Sequence, residues 1–192
     1  MEAAAFGVVV ALAVVIGLDS LRRARTRQVS PAEERVFRLF NNRPDAIHIP
    51  VWAVMQSGSL AAVFVVAGGV WLRGEHPDTV VVFAVGFAAW AGVKEVKRFV
   101  GRGRPSAHLG GVNVRGEAQT GLGYPSGHSA VSLTLALSAT SGMGVGVSIA
   151  AVGVALFTGG ARMYVGAHLP IDVVGGLSIG TVVGLATRLA LG

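Results

Sequence analysis

Three stretches of the chain carry residue types that could act together on a phosphoryl group. They supply cations, two histidines and one carboxylate: Lys97 and Arg104, then Ser126, Gly127 and His128, then Arg162, His168 and Asp172. Cations can neutralise phosphate oxygens, one imidazole can attack phosphorus, and another can protonate the leaving oxygen. The set therefore predicts an enzyme of phosphoryl transfer or hydrolysis.

The first stretch, KRFVGRGRP, delivers two cations across a flexible turn. Gly101 and Gly103 lie between Lys97 and Arg104, and they let the backbone leave a helix and curl. Both cations can then reach one anion, and the arginine can bind it bidentately. Taken alone, the stretch would be read as a basic collar against lipid head groups.

The second stretch, YPSGHS, stands where a loop enters a helix. Free backbone N–H groups and the positive end of the helix dipole favour an anion at such a position. Ser126 adds a hydroxyl, Gly127 permits close backbone approach, and His128 supplies a titratable proton. Without the other two stretches, this one would indicate only the start of a helix.

The third stretch, ARMYVGAHLPID, has the spacing of an oriented histidine. His168 and Asp172 are four residues apart, which places them within reach on one helical turn, and Pro170 suits a helix that begins there. A carboxylate bonded to one imidazole nitrogen would direct the other outward as a nucleophile or base. Arg162 extends the cationic lining.

Together the three stretches resemble the signatures of the type-2 phosphatidic acid phosphatase superfamily. Those signatures read Lys, six residues, Arg-Pro; then Pro-Ser-Gly-His; then Ser-Arg, five residues, His, three residues, Asp. The chain matches them except at Ala161, where the family usually has Ser. That departure removes one hydroxyl that could position the phosphate, but it removes no step of the mechanism.

The resemblance implies a role for each matched residue. His168 would attack phosphorus and form a phosphohistidine, Asp172 would orient it, and His128 would protonate the leaving oxygen. The phosphate would be bound by Lys97, Arg104, Ser126, Gly127 and Arg162. No metal and no other cofactor is implied.

The composition indicates that these residues work in a membrane. Of 192 residues, 52% are apolar and only 14% are charged, and the mean hydropathy is +0.63, which is typical of a chain with lipid as its solvent. The absence of cysteine excludes disulfides and thiolate sites. With a net charge of +6 in this setting, membrane lipids and a lipid-linked phosphate are expected partners, and nucleic acid is not.

Apolar runs predict an all-α, integral membrane six-helix bundle that forms a single domain over residues 1–192. The runs cover residues 3–18, 49–72, 79–93, 127–140, 142–161 and 171–191. The capping pattern from Ser30 to Glu33 predicts a short interfacial helix between the first and second spans. Glycines at every fourth position, 142 and 146 and again 176, 180 and 184, predict close helix approaches.

Six alternating spans would place all three stretches on the membrane face that carries the first loop. That loop and its flanks hold seven arginines, at positions 22, 23, 25, 27, 35, 38 and 43, which by the positive-inside rule favours a cytoplasmic site. Related bacterial enzymes usually face the extracytoplasmic side. The chain is therefore expected in the cell membrane as a multi-pass protein, with the side of its site left open.

The leading hypothesis is a phosphatase acting on a lipid-linked monoester or diphosphate. Candidate substrates are a polyprenyl diphosphate, a polyprenyl-phosphate sugar phosphate, phosphatidylglycerophosphate and phosphatidic acid. The alternatives are a non-catalytic lipid-phosphate-binding or transport bundle and a vanadate-dependent haloperoxidase-like enzyme. The sequence leaves open the oligomeric state, and whether the glycine-rich loop at 106–124 gates the site.

Overall fold

The computed structural model describes residues 2–191, whose regular secondary structure is all helical, with no strand among them. Met1 and Gly192, the two ends of the predicted domain, lie outside the described residues. The α-helices are α1 (Glu2–Arg25), α2 (Pro31–Asn41), α3 (His48–Met55), α4 (Leu60–Leu72), α5 (His76–Val100), α6 (Gly127–Ser138), α7 (Val145–Tyr164) and α8 (Pro170–Leu191). The predicted all-α class is confirmed.

The predicted count of six spans is not confirmed. Four helices, α1, α5, α7 and α8, are long and apolar enough to cross a membrane. The second predicted span is two helices, α3 and α4, because a short 3-10 turn at Gln56–Gly58 breaks it and the two halves meet at 67°. The fourth predicted span, α6, has 12 residues and a length of about 18 Å, well short of a hydrocarbon core of about 30 Å.

The short helix α6 lies in the centre of the bundle. Most of its residues are buried, and α5, α7 and α8 surround it. Two predicted glycines explain how α8 comes so close, since a Cβ at Gly180 would lie 2.7 Å from the Ala130 oxygen and one at Gly184 would lie 2.7 Å from Leu137 Cβ. The other predicted pair, Gly142 and Gly146, makes no such approach, because a Cβ at either would meet nothing within 4 Å.

Helix α2 covers the end of the bundle that carries the three stretches. Ser30 caps it by accepting a hydrogen bond from the Glu33 N–H at 3.2 Å, and Pro31 occupies its first turn, as predicted. Phe37 and Asn41 are buried on its inner face against α7 and α8. The Glu33 side chain does not return to Ser30 as a full capping box would; it points inward and is buried.

Candidate active site

Six of the eight sequence-predicted site residues line one cavity of about 420 Å³. They are Lys97, Arg104, Gly127, His128, Arg162 and His168. The first two come from the end of α5 and the turn after it, the next two from the start of α6, and the last two from the end of α7 and the turn before α8. Residues far apart in the chain therefore converge. This agrees with the expectation that the three stretches lie on one face of the membrane. Ser126 and Asp172 lie behind the wall.

His168 presents one ring nitrogen to the cavity and the other to Asp172. Its Nε2 lies 3.4 Å from Arg104 Nη1, while its Nδ1 lies 3.7 Å from Asp172 Oδ2. The second distance is longer than a hydrogen bond, although catalytic contacts are often long without substrate. Burial, reinforced by the charges of Arg162, Lys97 and Arg104, holds the pKa of His168 well below its ordinary value of 6.5. The imidazole is therefore neutral at physiological pH.

Asp172 is fixed on two sides. Its Oδ2 accepts a hydrogen bond from the Leu169 N–H at 2.8 Å, which caps the start of α8. Its Oδ1 accepts one from Arg102 Nη1 at 2.9 Å. The carboxylate is wholly buried. Its orientation toward His168 is therefore set by the start of α8 and by Arg102, which is not one of the predicted site residues.

All three cations predicted for the phosphate site reach the cavity without a carboxylate partner in the described part of the chain. Lys97 Nζ donates to the Leu122 oxygen at 2.9 Å. Arg104 Nη1 donates to the Ala167 oxygen at 2.8 Å, and Arg162 Nη1 lies 3.3 Å from Met55 Sδ. Neutral partners hold these groups in place and leave their positive charge uncompensated. Such a lining favours an anion.

Ser126 and Gly127 do different work at the start of α6. Gly127 lines the cavity, whereas the Ser126 hydroxyl is fully buried and accepts hydrogen bonds from the N–H and hydroxyl of Ser129 at 3.4 and 2.9 Å. The structure therefore does not bring the Ser126 side chain to the cavity, because capping the helix turns it inward. Ala161, where the resemblance expects Ser, is buried in an apolar cluster with Val51 and Met55.

Sequence reasoning missed Arg102, which is the largest fully buried side chain. Its two terminal nitrogens bond Glu33 at 3.0 to 3.1 Å as well as Asp172. In the sequence, Arg102 is one of several basic residues in KRFVGRGRP, which taken alone indicates contact with lipid head groups. No local signal pairs it with Glu33, which lies 69 residues earlier on α2.

The break between α3 and α4 was also missed, and it forms part of the cavity wall. Gly58, Ser59 and Leu60 line the cavity, and Gly58 packs so closely on the His128 backbone that any side chain there would overlap it. The Ser57 hydroxyl ties the break to α6 and α7 through hydroxyl groups of both helices. The polar run QSGS within an apolar segment was the signal that could have revealed it.

The glycine-rich loop is pinned in its first half and borders the cavity in its second. Arg115 donates to Asp45 Oδ1 at 2.7 Å and to the Tyr164 oxygen at 2.6 Å, and it stacks over the Tyr164 ring. Residues 119–122 line the cavity. The loop thus lies beside the site, and its second half forms part of the cavity wall.

That no metal takes part stays a prediction. Among the described residues, no group of three or more histidine, aspartate or glutamate side chains could hold a metal ion. The cavity presents the charges of Lys97, Arg104 and Arg162 to a bound phosphate.

The chain is similar to two proteins of known structure. One is a transmembrane PAP2-type phosphatidylglycerolphosphate phosphatase from Bacillus subtilis, with 21% identity, a TM-score of 0.73, and coverage of 93% of this chain and 94% of that one. The other is LpxE from Aquifex aeolicus, with 24% identity and a TM-score of 0.69 over 80% of this chain and 92% of that one. At these identities the likeness establishes a shared fold.

Sequence comparison gives the family. No curated protein sequence matches the chain, but the family model of the PAP2 superfamily matches residues 77–191. That range contains α6 to α8, all of α5 except its first residue, and all three motif stretches. The chain is therefore a multi-pass membrane protein that belongs to the PAP2 superfamily.

Proposed function

We propose that this protein is a membrane phosphatase that removes phosphate from a lipid-linked monoester or diphosphate through a phosphohistidine. The observation that carries the proposal is the convergence of Lys97, Arg104, His128, Arg162 and His168 on one cavity. Three unpaired cations would bind the transferring phosphoryl group and stabilise the charge on its equatorial oxygens. Two histidines would supply the nucleophile and the proton.

In the first step, His168 Nε2 attacks phosphorus. A nitrogen–phosphorus bond forms as the bond from phosphorus to the lipid oxygen breaks, and His128, which must be protonated beside the bound phosphate anion, gives its proton to that oxygen. Arg104 Nη1 beside His168 Nε2 favours the tautomer with the proton on Nδ1. That tautomer keeps the Nε2 lone pair available and directs the Nδ1 proton toward Asp172.

In the second step, water displaces the His168 imidazole from phosphorus. His128, now neutral, takes a proton from the water, whose oxygen forms a bond to phosphorus as the bond to His168 breaks. Inorganic phosphate leaves with both histidines restored. The N–H groups at the start of α6, including that of Gly127, would hold the phosphate in both steps.

The position of the cavity suits a substrate that stays in the bilayer. Leu60 on α4 and Trp90 and Val93 on α5 form its apolar side, so a lipid tail can lie between these helices while the head group reaches the cations. Lys94 also lines this side and lies 3.2 Å from the centre of the Trp90 ring. One of the two similar structures supports a lipid phosphate as the substrate class, since it carries the name of a phosphatidylglycerolphosphate phosphatase.

A panel of lipid phosphates tests the proposal. We expect the purified protein to release inorganic phosphate from at least one short-chain lipid monoester or diphosphate, to retain that activity in a chelator, and to lose it with vanadate. Vanadate should inhibit because it occupies the same anion pocket. A bundle that binds lipid phosphate without hydrolysis would release none from the whole panel, and halide oxidation with vanadate would indicate the haloperoxidase alternative.

Cysteine labelling tests the side of the membrane. The chain has no native cysteine, so Gln28→Cys marks the face of the site and Asp78→Cys marks the opposite face. The arginines near α2 favour a cytoplasmic site, so an impermeant thiol reagent should label position 78 but not position 28 in intact cells. The reverse pattern would establish an extracytoplasmic site.

A further inference from the structure

A second cavity, separate from the site, opens on the outer side of α7. It has a volume of about 340 Å³, and apolar side chains of α2, α3 and α7 form most of its lining, among them Phe40, Val51, Leu156 and Phe157. Leu156 and Phe157 are about half exposed, so the cavity is open toward the lipid. We call it the α2–α7 groove. Its shape and lining suit an acyl chain.

One cation stands in the lining of this apolar groove. Arg43, just after α2, is the charged residue among those that line it. Its Nε donates to the Leu39 oxygen at 2.9 Å, and its own backbone oxygen accepts from Arg115 Nη2 at 2.7 Å. These two hydrogen bonds fix the position of Arg43. No carboxylate of the described residues lies within ion-pair distance of it, so its positive charge is not neutralised.

The cationic surface continues from the groove along α2. A shallow surface depression contains Arg35, Arg38 and Arg43. Glu34 pairs with Arg38 at 3.1 Å, and the nearby carboxylate of Asp45 is engaged by Arg115. The acids on this surface are therefore occupied, and Arg35 and Arg43 remain to attract an anion.

The α2–α7 groove and the catalytic cavity have no lining residue in common. Helix α7 separates them, with Arg162 lining the catalytic cavity and its neighbours Ala161 and Met163 lining the groove. An amphiphile in the groove would therefore keep its head group away from His168. It would act as a ligand and not as a substrate.

We propose that the α2–α7 groove binds an anionic phospholipid of the bilayer, with one acyl chain among its apolar side chains and the phosphodiester on Arg43. An apolar channel that ends at an unpaired guanidinium is complementary to a molecule with a tail and a negatively charged head. The lipid would hold α2 against α7. Because a phosphodiester has no terminal phosphate, it can occupy this site without being consumed.

Thermal unfolding in nanodiscs tests the proposal. We expect the Tm to be higher in discs containing phosphatidylglycerol than in discs of phosphatidylcholine alone, because a ligand of the folded state stabilises it. Arg43→Gln should lose most of that increase. Arg22→Gln removes an exposed cation of α1 and is the matched control, so it should keep the increase. Leu156→Trp, which fills the groove from its lipid side, should reduce the increase while leaving Arg43 intact.

Equal increases in wild type, Arg43→Gln and Arg22→Gln would overturn the proposal, as would equal Tm values in the two lipids. If Arg43→Gln fails to fold, a full increase in Leu156→Trp overturns it instead. The His168→Ala variant should show the wild-type increase, because the groove does not include the catalytic cavity. Lipid binding at the groove is thereby tested independently of the phosphatase proposal.

Discussion

Replacing His168 with alanine should reduce phosphate release by about 10³-fold or more, the scale on which removal of a covalent nucleophile acts in other hydrolases. The side chain is 2% exposed and its Nε2 faces the cations of the cavity. Without it, no nitrogen stands at the position from which phosphorus can be attacked. The three cations would still bind substrate, so kcat should fall far more than KM rises.

The measurement is phosphate release by purified variants, with Tm as a check on folding. His76→Ala is the matched control, because His76 is an exposed histidine at the start of α5, at the far end of that helix from Lys97. It should keep wild-type turnover. A wild-type protein quenched during turnover with labelled substrate should carry an acid-labile phosphoryl group that the His168→Ala variant lacks. Unchanged turnover in His168→Ala would refute the assigned nucleophile.

The convergence of the site residues on one cavity could be predicted from the sequence, because it follows from residue type and spacing. Lys97, Arg104, His128 and His168 are polar groups in a chain that otherwise avoids them, and His128 stands at the start of a helix, where backbone N–H groups are free to bind an anion. The start of α8 at Pro170 followed from the fixed φ of proline. These features depend on a few neighbouring residues only.

The count of six spans is not confirmed, because each span was inferred from length and hydropathy alone. Helix α6 is short, yet it is enclosed by protein and need not cross the bilayer by itself. The break after α3 depends on Ser57, whose hydroxyl finds partners on α6 and α7 that are 75 and 101 residues away. Contacts of that range leave no mark in a hydropathy profile.

Arg102 forms another long-range contact, the buried ion pairs with Glu33 and Asp172. After the loss of His168, its removal should have the second largest effect on the enzyme. Arg102→Met would leave the carboxylates of Glu33 and Asp172 buried without their cation, at a cost of about 3–5 kcal/mol in the free energy of unfolding. Turnover should fall by roughly 10- to 100-fold, the range found when a group that orients a catalytic ligand is lost. Arg102 would act through Asp172 as a positioning residue.

A pH profile separates positioning from mere stabilisation. In Arg102→Met the carboxylate of Asp172 would be buried without its cation, 3.7 Å from His168 Nδ1. A buried carboxylate without a cation takes up a proton at higher pH than a paired one does, and a protonated Asp172 would no longer orient the imidazole. Since kcat/KM reports the free enzyme, its acid limb should move to higher pH, and Arg102→Lys, which keeps the charge, should move it back.

Two adjacent glutamates on α2 provide the matched comparison. Glu33 pairs with Arg102 and is almost fully buried, whereas its neighbour Glu34 pairs with Arg38 where both side chains are partly exposed. Glu33→Gln should lower both Tm and kcat, while Glu34→Gln should cost at most about 1 kcal/mol and leave turnover unchanged. If Glu33→Gln and Arg102→Met lowered Tm but left kcat and the acid limb at wild-type values, the network would be structural only. The expected result instead links the surface helix α2 to the orientation of Asp172, because the Arg102 guanidinium bonds both Glu33 and Asp172.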